Sequence, residues 1–172
     1  KKRKLTLINI SQEVDFIEEI YPHKGVLNFG AVIKTDVGVA WVNDFGCFIY
    51  DGKSVSNLLT KKGVQIIDEV EWAAFVSSAT LIGYYQKKNQ LIVCKSFVYT
   101  SGNDAAYIYD MVTGSWVTGS LSLGAEHKTN FINYKADLII GRNAGTQLDI
   151  MKWSDTSVAQ TISIKTKDFD FG

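Results

Sequence analysis

Between residues 81 and 118 the chain is cut into short apolar runs by turn residues, a pattern that few folds accommodate. Leu81-Ile82-Gly83-Tyr84-Tyr85 is followed by the polar stretch Gln86-Lys87-Lys88-Asn89-Gln90 and then by Leu91-Ile92-Val93-Cys94. After a loop come Ala105-Ala106-Tyr107-Ile108-Tyr109-Asp110, the turn Met111-Val112-Thr113-Gly114, and Ser115-Trp116-Val117-Thr118. Four such runs, rich in β-branched and aromatic side chains, predict an antiparallel meander.

Weaker copies flank it. Upstream, strands are expected at residues 29–34, 39–42, 47–50 and 54–59, with turns at Thr35-Asp36-Val37-Gly38 and Asn43-Asp44-Phe45-Gly46. Asp51-Gly52 has the sequence of a type I′ hairpin, which needs positive φ at both central residues. Downstream, residues 130–134, 138–141, 148–153 and 158–164 read as strands, with turns at Lys135-Ala136-Asp137 and Asn143-Ala144-Gly145. A first strand is expected at residues 5–10. Residues 12–24 are ambiguous: Val14, Phe16, Ile17 and Ile20 fit a helical face as well as an irregular strand, and Pro22 ends either one. Between residues 61 and 78 the period changes. Asp68 and Glu71 have capping-box spacing, Ile67 and Trp72 hold staple positions, and Trp72, Phe75 and Val76 share a face. These predict a short helix near 69–76.

Aligning the second strands brings out a repeat. Val39, Leu91 and Leu138 open comparable runs, 52 and then 47 residues apart. The third strands end in Ile49-Tyr50-Asp51, Ile108-Tyr109-Asp110 and Met151-Lys152-Trp153. The units fall near 28–60, 79–122 and 128–165. Roughly 40 to 50 residues per four-stranded unit is the spacing of propeller blades. The expected fold is all-β, with about three four-stranded antiparallel meanders of blade type and one short helix. A β-sandwich of short strands is the alternative. Three blades are fewer than a closed propeller has. Together with the missing initiating Met and the abrupt Gly172, this predicts one β-rich domain, residues 1–172, belonging to a longer chain or completed by another copy.

Composition narrows the function classes. Lys+Arg 18 balance Asp+Glu 18, whereas a nucleic-acid binder usually carries a basic excess. Lys1-Lys2-Arg3-Lys4, the one basic cluster, is expected to be a solvated end. No run approaches the roughly 20 apolar residues of a membrane-spanning helix, and no signal-peptide pattern is present. The aromatic load of 9 Phe, 8 Tyr and 4 Trp suits sheets and protein contact.

Reactive constellations are sparse. Cys47 and Cys94 sit in apolar runs and read as buried thiols. His23 and His127 have no paired spacing and read as loop imidazoles, so neither a metal nor a cofactor is expected. Asp68, Glu69 and Glu71 read as acids in a first helical turn, where the macrodipole favours them, rather than as an acid/base pair. Ser101-Gly102-Asn103-Asp104 and Asn143-Ala144-Gly145 lack the spacing of a calcium loop and read as turns. Trp41, Tyr50, Tyr109, Trp116 and Trp153 form the pool from which a sugar platform could be drawn, without singling one out.

Tyr107-Ile108-Tyr109-Asp110 followed by Thr113-Gly114-Ser115-Trp116 resembles the strand–turn–strand of a kelch-type blade, without that family's double glycine. A longer string carries a second resemblance. It comprises Gly38-Val39-Ala40-Trp41-Val42-Asn43, Gly46-Cys47-Phe48-Ile49-Tyr50-Asp51-Gly52, Glu71-Trp72 with Phe75, Lys128-Thr129-Asn130-Phe131, and Thr166-Lys167-Asp168-Phe169-Asp170-Phe171-Gly172. It is similar to propeller-like, tail-associated virion proteins of tailed bacteriophages, particularly marine ones, in which the chain continues into another β domain. The resemblance implies a non-enzymatic structural module of a phage tail or virion, made in the host cytoplasm, whose partners are other virion proteins or copies of itself. A propeller recognising host-surface glycans is the alternative. A glycosidase would need two carboxylates roughly 5 to 9.5 Å apart, a placement that spacing in sequence does not provide.

Overall fold

The structure is a computed structural model and describes residues 4–11, 13–96, 105–120, 131–144 and 147–153. Its described residues form five antiparallel sheets and one α-helix, so the chain is all-β in class. It divides into two compact units, Lys1–Ile82 and Gly83–Gly172.

The first unit opens with a hairpin of β1 (Lys4–Asn9) and β2 (Phe16–Pro22). The ambiguity over residues 12–24 thus resolves as a strand. Glu18 is skipped in the pairing, because Leu7 faces Glu19 and Ile8 faces Ile17. That bulge breaks strict alternation and lets the apolar positions imitate a helical period.

A meander follows, in the order β3 (Val32–Thr35), β4 (Gly38–Asn43), β5 (Gly46–Tyr50) and β6 (Val55–Asn57). The strand expected from residue 29 begins later. Phe29–Ala31 is a 3-10 turn, capped by Asn28 Oδ1 accepting from the Gly30 amide at 2.7 Å. The type I′ expectation at Asp51-Gly52 also fails, since Gly52 has positive φ and Asp51 does not. Asp51 Oδ1 instead accepts from the Lys53 and Ser54 amides, both at 2.8 Å, and this side-chain closure sets the loop. Positive φ at both central residues occurs at Lys62 and Gly63, between β7 (Thr60–Lys61) and β8 (Val64–Gln65).

The helix is α1 (Glu69–Phe75), with Val76 as its C-cap. Asp68 caps it by accepting from the Val70 and Glu71 amides at 2.8 and 3.2 Å. Its buried face carries Trp72 and Phe75, and the Trp72 indole N–H donates to the Asn43 carbonyl at 2.9 Å. Ala40, Trp41, Val42 and Asn43 are consecutive buried residues of β4, and β5 is buried over Gly46–Ile49. A run of that kind has both faces covered, unlike an antiparallel strand with one wet face.

The second meander is β9 (Leu81–Tyr85), β10 (Gln90–Cys94), β11 (Ala105–Asp110) and β12 (Ser115–Ser120). All but the first two residues of β9 belong to the second unit. The polar stretch after β9 is a 3-10 turn over Gln86–Lys88 that Asn89 ends in the left-handed region, at φ 52°.

The third meander has three described strands, β13 (Ile132–Tyr134), β14 (Asp137–Ala144) and β15 (Gln147–Lys152). Asn143 and Ala144, expected in a turn, continue β14 and pair with Leu148 and Gln147. The strand expected at residues 158–164 lies outside the described residues.

Within the second unit the two meanders meet at Gly83. A Cβ there would lie 2.6 Å from the buried Phe131 ring, so glycine is what lets the ring lie against β9. Asp137 also pairs with Lys87, beyond β9, and with Lys152 of β15 at 2.6 Å. The two lysines hold its carboxyl below the usual carboxylate range, Lys152 contributing most.

Candidate functional site

Each meander sets an aromatic residue of its third strand, or the residue just after it, opposite the opening apolar residue of its second. Tyr50 pairs with Val39, and Tyr109 pairs with Leu91. Beyond the last pair of β14 and β15, the Trp153 amide donates to the Leu138 carbonyl at 2.7 Å. These are the residues that align at the sequence level. In the first two meanders the aromatic is followed by an aspartate with the same duty. Asp110 Oδ1 accepts from the Val112 and Thr113 amides at 2.9 and 2.8 Å, as Asp51 does from Lys53 and Ser54. Backbone amides hold both carboxyls below their ordinary range, from Ser54 foremost for Asp51 and from Thr113 foremost for Asp110. Such carboxylates shape turns and are poorly placed to take up a proton near neutrality.

The sugar-platform pool separates by burial. Trp41 is in the core, its indole N–H donating to the Lys24 carbonyl at 2.8 Å and its ring stacked on Phe48 at 5.8 Å. Tyr50, Tyr109, Trp116 and Trp153 are half-buried. Tyr109 and Trp116 face each other across β11 and β12 with ring centroids 4.9 Å apart, and Tyr107 meets the same indole edge-on at 6.0 Å. Trp153 meets Phe131 at 6.3 Å. Tyr109 with Trp116 is therefore the one pair from the pool that the fold brings together.

The remaining candidates take structural positions. Cys47 and Cys94 are buried and in no disulfide, and burial pushes the Cys47 thiol well up. Asp68 is the helix cap, with Glu69 and Glu71 exposed in the first turn. His23 lies against Phe45 at 4.7 Å between centroids. Lys4 begins β1, while Lys1, Lys2, Arg3, His127, residues 101–104 and Gly145 lie outside the described residues. Among the described residues no three His, Cys, Asp or Glu side chains cluster to hold a metal ion, and no helix is long and apolar enough to cross a membrane.

Two features were not singled out from sequence. One is Asn43, fully buried, whose Nδ2 donates to the His23 and Gly25 carbonyls at 2.9 and 2.6 Å while Oδ1 accepts from the Phe45 amide at 2.7 Å. It ties the segment after β2 to the first meander, and in sequence only its place at the head of a turn marks it. The other is the β1–β2 hairpin, where Lys24 Nζ lies 4.8 Å from the Tyr21 ring centroid. The Tyr21 hydroxyl donates to the Glu19 carboxylate, which pushes its pKa up to about 12.

Comparison with protein-family models, with curated proteins and with solved structures matches the chain to none of them.

Proposed function

We propose that this chain is a non-enzymatic structural module of a phage tail or similar virion assembly, made in the host cytoplasm and carried in the particle. In this reading its meanders are blade-type repeat units, and it works by protein–protein contact with other virion proteins or with copies of itself. The observation that carries the reading is the shared build of the meanders. Each runs in sequence order, and each sets a second-strand apolar residue against an aromatic in the third strand or just after it. The strands β5, β9 and β10 are buried along nearly their whole length and β4 over residues 40–43, so these strands are covered on both faces. Ile132 and Tyr134 are exposed on β13, at the edge of its described sheet, and an apolar sheet edge can serve as a docking surface. The balanced charge favours protein over nucleic acid as the partner. Gold-labelled antibody against the chain, applied to purified particles of a tailed phage that encodes it, tests this. Label on the tail is the expected result, and recovery of the chain only from the host lysate, never from particles, would overturn it.

The Tyr109–Trp116 pair favours a second reading, a module for host-surface glycans. Aromatic faces stack on sugar rings, and both residues are partly accessible. Titration with host glycans, followed by tryptophan fluorescence, should then show saturable binding that Trp116→Ala removes. A flat titration would exclude it.

A further inference from the structure

The first meander ends in an open edge. β6 is the last strand of its sheet, and among the described residues no other strand pairs with its outer side. The register decides which of its backbone groups point outward. Tyr50 pairs with Val55, Ile49 with Ser56 and Phe48 with Asn57, while the Asp51 amide donates to the Ser54 carbonyl and the Leu58 amide to the Cys47 carbonyl. Ladder bonds alternate along an antiparallel pair, so Ser56 turns its amide and carbonyl toward β5, whereas Val55 and Asn57 turn theirs away from it. An edge of that kind is a template for another strand.

Both outward carbonyls are already taken, each by a side chain. Lys24 Nζ donates to the Val55 carbonyl at 3.3 Å, and Thr60 Oγ1 donates to the Asn57 carbonyl at 3.1 Å. Thr60 reaches back only a short way along the chain. Lys24 comes from the segment after β2 and is held at both ends. Its own carbonyl accepts from the Trp41 indole at 2.8 Å, and the carbonyls of His23 and Gly25 on either side accept from Asn43. Its ammonium lies 4.8 Å from the Tyr21 ring centroid and 5.9 Å from that of Phe48, within the range of cation–π attraction. A lysine serving only solubility would need none of these restraints.

We infer that Lys24 closes the edge of β6. With Thr60 it occupies the acceptors that a strand of a second copy would use, and so keeps the first meander from growing by strand addition. Its charge adds to the effect, because an approaching strand would have to displace the ammonium or bury it. The inference concerns the first meander alone and does not rest on the assembly reading.

Light scattering on variants of the 172-residue chain tests it. K24M/T60V removes both donors while keeping the stem of the lysine and the shape of the threonine. It is expected to form species of about twice the mass of those the unaltered chain forms at the same concentration, or larger, since an open edge joins at least two copies. K24R keeps the charge and a donor, and should behave as the unaltered chain does. K24M/T60V/V55P also loses the outward amide of Val55 without losing a ladder bond to β5, and should return to the mass of the unaltered chain. A K24M/T60V chain that stays at the mass of the unaltered chain would overturn the inference, as would a K24R chain that associates like K24M/T60V. So would association that persists in K24M/T60V/V55P, because it would then arise from misfolding or from a surface other than this edge.

Discussion

Asn43 makes the most quantitative demand on the fold. Its side chain is fully buried and makes three hydrogen bonds: two donated, to His23 and Gly25 carbonyls, and one accepted, from the Phe45 amide. Asn43→Ala removes all three and strands two carbonyls and an amide. At about 1 kcal/mol net for each bond, the loss is about 3 kcal/mol, and more where the stranded groups stay dry. Asn43→Asp keeps the acceptor for Phe45 but turns a carboxylate toward the two carbonyls, so at neutral pH it should cost more than alanine. Those carbonyls and the burial raise the folded-state pKa of the new aspartate above its unfolded value of about 3.9. The native state of that variant then binds the extra proton over the interval between the two values. Its stability therefore falls as pH rises through that interval, and the Asp variant gains on the Ala variant as pH is lowered. Urea titration followed by tryptophan fluorescence is a suitable assay, because the Trp72 indole is hydrogen-bonded to the Asn43 carbonyl itself. An Asn43→Ala loss below about 0.5 kcal/mol, or an Asp variant no worse than Ala at neutral pH, would refute the reasoning.

Other outcomes follow from the same geometry. Gly38 has φ +154° and a Cβ there would lie 1.9 Å from the Tyr50 carbonyl oxygen, whereas Gly52 at φ +94° has open space. Gly38→Ala should thus cost clearly more than Gly52→Ala, whose penalty is the backbone strain alone, about 1–2 kcal/mol by denaturant titration. Ala136 at φ 64° is the converse case, and Ala136→Gly should stabilise the β13–β14 turn by about 1 kcal/mol. Asp51 and Asp110 have depressed pKa values, so their stabilisation is full above about pH 4 and is lost as pH falls through the depressed values. Asp51→Ala/Asp110→Ala should therefore flatten the acid limb of stability against pH, and an unchanged acid limb would contradict this.

The sequence was most legible where one physical signal dominated. Residues 81–118 combine β-branched and aromatic runs with polar turns, and four strands appear there, the last running on to Ser120. Asp68 and Trp72 marked the helix because a cap and a buried face are both local. Val39 and Leu91, and separately Tyr50 and Tyr109, aligned in sequence, but that each apolar residue lies opposite its aromatic came only with the register. Legibility failed where a competing contact chose the backbone. Asp51 closes its loop with a side chain, so the Asp-Gly signature of a type I′ turn was misleading. Lys135 and Ala136 both adopt positive φ without a glycine, and nothing in their identities announces it. The bulge at Glu18 obscured the strand period of β2. Of the candidate aromatics, Trp41 could not be told from Trp116 in sequence, because only tertiary packing buries one and leaves the other on β12.

The most direct test of an assembly role through self-contact is the solution mass of the unaltered chain, by light scattering over a range of concentrations. A concentration-dependent rise from 19.1 kDa to twice that value, without larger species, is the predicted result. A mass of 19.1 kDa at every concentration would contradict it.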